Sequence, residues 1–181
     1  MLDASEYLHL AIHASQQDDH HAALNYLGQA LELEPENAAV RYFLAAEHAE
    51  LGLYERAVSG MKEALALDEG LDIARFQLGL LSLQLQRLEE AREAFATLAD
   101  RTVDEGLKAF SSAYLDLLDE KVSDACRKLE HGLAVCTNEA LVRDMSRVLG
   151  SLAEGDGAEA VKGEETGSVY LGAYRDSVEP S

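Results

Sequence analysis

His9 and His13 stand four residues apart, the spacing that places two imidazoles on one face of a helix, where they can share a metal ion. No neighbouring cysteine or carboxylate makes a convincing third ligand, so a solvent-facing or rim position is expected for both. His20-His21 falls in a turn and reads as surface, while His48 and His131 stand alone on helices. The only cysteines, Cys126 and Cys136, lack the CxxC spacing of a metal or redox pair and read as reduced structural thiols. Glu89, Glu90 and Glu93, with Arg92 among them, form the solvated face of a helix. The sequence has no glycine-rich phosphate loop and no GxSxG nucleophile motif, and its carboxylate spacings do not exceed what an acidic helical surface supplies. No catalytic, cofactor-binding or metal-binding residue is assigned, and the chain reads as a protein that binds without doing chemistry.

The elements that position these side chains are read from an internal repeat. A shift of 34 residues aligns Ala23, Ala57, Ala91 and Ala125, then Leu27, Met61, Phe95 and Leu129, then Ala11, Ala45, Gly79 and Ala113. Small residues held in phase at this period mark paired helices that pack closely in an array. The clearest unit is Ala38 to Leu71, two amphipathic helices joined by Leu51-Gly52-Leu53. In the first unit Pro35 ends the second helix, because proline lacks an N–H and clashes with the preceding turn. Leu141, Met145, Val148 and Leu152 then give one apolar stripe on a further helix, as the terminal cap of an array requires.

This pattern, above all the run from Ala22 to Pro35, resembles the tetratricopeptide repeat family. The resemblance implies an all-α, right-handed α-solenoid of four helix pairs with a C-terminal capping helix. The expected domain covers 1–153, with repeats at about 4–37, 38–71, 72–105 and 106–137 and the cap at 139–152; an acidic linker and tail occupy 154–181.

Acidic residues outnumber basic ones 34 to 15, for a formal net charge of −19. Such a field repels nucleic acid and anionic membrane surfaces over roughly 8–10 Å and steers basic partners inward. The opening residues Met1 to Glu6 carry neither a basic nor an apolar leader region, and no apolar run nears the ~20 residues of a membrane helix. A cytoplasmic location is expected.

By the family's pattern the first helix of each repeat lines the inner surface of the array. The inward positions are Leu8, His9, Ile12 and Ser15; Tyr42, Phe43, Ala46 and Ala49; Ile73, Phe76, Gln77, Leu80 and Leu83; and Leu107, Phe110, Ser111, Tyr114 and Leu117. The expected groove is apolar, and large open apolar patches imply an occupant. An apolar or amphipathic peptide or helix of a partner protein is therefore expected there, with Phe76 and Tyr42 as central anchors and Phe43, Leu80, Phe110 and Tyr114 extending the strip. Many family members hold the free carboxylate of a heat-shock chaperone tail through basic and amide groups at these positions. Leu8, Ile12, Phe43, Ile73 and Gln77 occupy them here, so that clamp is missing. Size, charge and groove character resemble the acidic repeat chaperones of bacterial secretion systems, which implies a chaperone or assembly-adaptor role. The alternative is a self-associating scaffold, or a groove occluded by the tail segment Val169, Tyr170, Leu171 and Tyr174, which a linker of about 14 residues lets range over ~20 Å.

Overall fold

The computed structural model describes residues 2–155. Among the described residues there are nine α-helices and no strand: α1 (Ala4–Ser15), α2 (His20–Leu33), α3 (Ala38–Glu50), α4 (Tyr54–Leu67), α5 (Asp72–Gln84), α6 (Leu88–Arg101), α7 (Glu105–Leu118), α8 (Val122–Val135) and α9 (Glu139–Ala153). Their starts follow from local chemistry. Asp3, Asn37, Asp104 and Asn138 each accept the backbone N–H of the residue three positions on, at 2.8, 3.1, 2.8 and 3.1 Å, and so satisfy one of the orphan donors that open α1, α3, α7 and α9. Asp3 completes a capping box, because its own N–H donates to Glu6 Oε2 at 2.8 Å.

The turn inside each helix pair repeats with the same 34-residue period. Asp18, Gly52, Gln86 and Glu120 all hold positive φ, at 58°, 73°, 58° and 60°. After each of them the next N–H reaches back to the preceding helix: Asp19 to Ala14, Leu53 to His48, Arg87 to Ser82 and Lys121 to Asp116, at 3.0, 2.8, 2.8 and 2.8 Å. These bonds satisfy helix-end carbonyls and turn the chain sharply enough for the second helix to lie back on the first. Only the second turn uses glycine, the residue that adopts this conformation without steric cost. The other three turns are therefore not marked in the sequence by a residue type.

The described residues gather into two compact units, divided in sequence after Ala74. In the first, α1 packs on α2, α2 on α3 and α3 on α4. The in-phase residues Ala11, Ala23, Leu27, Ala45, Ala57 and Met61 are all at most 2% exposed, and each large one contributes ~1.5–3 kcal/mol by burial. Gly60 faces Ala45 so closely that an added Cβ would lie 2.8 Å from the alanine's own, which explains the small residues in this pair.

In the second unit α6 packs on α7, α7 on α8 and α8 on α9. Phe95 fills the space over Gly79, where a Cβ would stand 2.5 Å from its ring; Phe110 does the same over Gly132 at 2.4 Å. The fold is thus an all-α solenoid, in which the helices named above pack on their neighbours in sequence within each unit. α9 buries Ala140, Leu141, Asp144, Met145 and Leu152 against the unit and leaves the rest of its surface to solvent or half-open.

Candidate functional site

α1 is built unlike the helices that follow it. It buries only Ala4, Ala11 and Ala14, whereas Tyr7, Leu8 and Ile12 stay half-exposed and Leu10 is 36% exposed. Leu8, Ile12 and Ser15 follow one another at i, i+4 and i+7, so they share one flank of the helix beside the buried alanine ridge. Tyr7 leans on Tyr26 of α2 at a ring separation of 6.4 Å, which steadies the opposite flank. His9 and His13 lie on the solvent side; His13 Nε2 sits 3.3 Å from the Gln17 amide.

The remaining predicted groove residues divide by burial. Ile73 and Leu80 are half-buried. Tyr42, Phe76, Phe110, Ala46 and Gln77 are 0% exposed, Phe43, Leu83 and Leu107 3%, Tyr114 4% and Leu117 6%. The expectation that an aromatic strip stands open to solvent is therefore corrected. In the second unit Phe76 meets Phe95 edge-on at 5.7 Å and Tyr114 at 5.9 Å, while Phe95 and Tyr114 stack at 4.8 Å with their planes 9° apart. Tyr42 and Phe43 meet edge-on at 5.5 Å in the first. These rings bury their area against their own chain. The 34-residue phase does not separate the two cases: Leu8, Tyr42, Phe76 and Phe110 are successive equivalents, yet Leu8 alone among them is half-open. The tail segment Val169, Tyr170, Leu171 and Tyr174 lies outside the described residues.

Two further clusters were not read from the sequence. His20, expected at the surface, opens α2 and places Nδ1 2.9 Å from Oε2 of Glu47, a carboxylate only 1% exposed. The other Glu47 oxygen, Oε1, has no hydrogen-bond partner among the described residues, so this carboxylate is retained at a desolvation cost. The second cluster is a concavity of about 220 Å³ on the first unit, lined by Arg41, Leu44, Ala45 and His48 of α3 and Arg56, Ser59, Gly60 and Glu63 of α4. Burial, then the positive charge of Arg56, pushes the His48 pKa below its ordinary value, against an opposing pull from Glu47. Neither cluster leaves a short-range sequence signature, because His20 and Glu47 lie 27 residues apart and Arg41 and Glu63 lie 22 apart. Burial also raises the pKa of the Cys136 thiol, the state of an unreactive cysteine. Among the described residues no three His, Cys, Asp or Glu side chains converge as a metal set, and no helix is long and apolar enough to cross a membrane.

Alternating helices, 34-residue phase and the small residues at each crossing define a helical-repeat protein. The tetratricopeptide repeat model matches residues 14–59, a span that runs from the end of α1 into α4. No curated protein sequence matches it. Solved structures with a similar fold include MamA 41-end from Desulfovibrio magneticus RS-1, at TM-score 0.61 and 16% identity over 97% of each chain. A crystal structure of MamA protein is similar at TM-score 0.60 and 15% identity, over 98% of this chain and 96% of that one. A MamA RS-1 ArsTM double mutant is similar at 0.61 and 16%, over 96% and 97%. At such identities the likeness shows the fold alone.

Proposed function

We propose that this protein is a non-enzymatic protein–protein interaction module that takes an apolar or amphipathic segment of a partner against the open flank of α1. The supporting observation is the composition of that helix: its buried residues are alanines, while Leu8 and Ile12 on this flank keep exposed surface. An apolar surface of this kind costs free energy in water and gains it when a partner covers it. Leu80 and Ile73 offer smaller half-open apolar surface elsewhere and are secondary contacts in this reading. The net charge of −19 favours a partner whose apolar segment is flanked by basic residues, chiefly through faster association. A chaperone or assembly adaptor is the biological form that suits such a surface.

Photo-crosslinking tests the reading. Benzoylphenylalanine at Leu8 is expected to capture a partner in the source cell, whereas the same probe at Val103, a valine 97% exposed in the loop after α6, is expected to capture little. Equal yields from the two positions would count against α1. Capture of a second copy of this chain would convert the module into a self-associating scaffold.

A further inference from the structure

We propose that the concavity between α3 and α4 is a receptor for a single carboxylate group presented by a partner polypeptide. Its floor exists because Gly60 lets α4 approach Ala45, and the larger residues on either side stand up around that point of contact. The walls carry an unusual charge set for so acidic a chain: two arginines, one histidine, one serine hydroxyl and a single carboxylate.

That carboxylate is already held. Arg41 Nη1 donates to Glu63 Oε2 at 2.6 Å, and Arg41 Nε donates to the Pro35 carbonyl at 2.9 Å. Ser59 Oγ lies 3.5 Å from the other Glu63 oxygen. Arg41 is thereby fixed as part of the wall. Arg56 is different. It is exposed and makes no hydrogen bond or ion pair among the described residues. An unmatched guanidinium is conspicuous where 34 acids face 15 bases. Beside it the His48 ring is held toward its neutral form by burial and by the Arg56 charge.

The chemistry selects the ligand. A guanidinium fork matches a carboxylate through two parallel hydrogen bonds, which are stronger than neutral ones. A neutral imidazole or the Ser59 hydroxyl can add a further hydrogen bond. Leu44, Ala45 and Gly60 supply an apolar floor for methylene or methyl carbons. With Glu63 on the wall, a singly charged carboxylate meets less repulsion than a doubly charged phosphate. Two sources share this chemistry, an aspartate or glutamate side chain and a free C-terminus. The concavity rests on the protein-binding reading only for the origin of its ligand, so small carboxylates test it independently of α1.

The experiment is an NMR titration of the full-length, isotope-labelled chain, following the His48 ring and Arg56 Nε. N-acetylglutamic acid α-amide presents only a side-chain carboxylate, N-acetylalanine only a terminal one. Sodium chloride at equal ionic strength and inorganic phosphate serve as comparisons. At least one carboxylate is expected to give saturable shifts at both residues and to move the His48 titration midpoint upward, because a bound anion offsets the Arg56 charge. The tighter of the two identifies the source. Arg56→Gln should abolish saturation without lowering the thermal midpoint, and Arg56→Lys should weaken it several-fold by removing the fork. Shifts that match those of chloride, saturation by phosphate alone, or saturation that survives Arg56→Gln would each overturn the proposal.

Discussion

Phe76 shows how far a single residue type can mislead. An aromatic side chain at a position that family members use for binding suggests an anchor, yet here it is 0% exposed between Phe95 and Tyr114. Phe76→Ala is therefore expected to cost ~3–5 kcal/mol in folding stability, the range for a phenylalanine removed from a core, measured by urea or thermal denaturation. An unchanged stability would return Phe76 to the surface. The residue-level features that were legible are those governed by steric fit. Ala23, Ala57, Ala91 and Ala125 were read as close-packing positions and are all 0% exposed. What could not be read was which large residues their own chain covers, because that depends on where facing helices cross rather than on residue type. The Arg41, His48 and Arg56 grouping was hidden for the same reason, since it exists only once α4 lies on α3.

At the scale of elements the 34-residue phase carried nearly everything. It placed the helix pairs, and Pro35 marked the end of α2, which stops at Leu33. The turns at Gln86 and Glu120 were not legible because they take a left-handed conformation without glycine and are held by backbone hydrogen bonds. α9 adds a pH dependence. Asp144 is 8% exposed, and burial raises its pKa above the ordinary value despite the opposing charges of Arg147 and Arg143. A folded-state pKa above the unfolded one means that its favourable contribution is complete below the ordinary aspartate range and is lost as pH rises through the folded value. Asp144→Asn is therefore expected to be more stable than wild type at pH 7. That advantage should shrink as the pH falls toward the ordinary aspartate value of 3.8 and vanish below it, which thermal melts across pH would show. A variant less stable than wild type at pH 7 would mean that the Arg147 contact, at 3.5 Å, outweighs burial.

At the scale of the whole molecule, a repeat chain is stabilised by neighbour-to-neighbour packing, and what distinguishes its parts is the surface that packing leaves uncovered. One such apolar surface lies on α1, where Leu8 and Ile12 remain half-open beside buried alanines. In the proposed reading the net charge of −19 favours association with a basic partner. The most direct test is a comparison of what the wild-type protein and Leu8→Asp each retain from a lysate of the source cell, quantified by mass spectrometry after both have been shown to melt at similar temperatures. The account expects one partner or a small set to be lost from the variant, corresponding to about 1–3 kcal/mol of binding free energy at an interface anchor. Identical retention by the two proteins would contradict it.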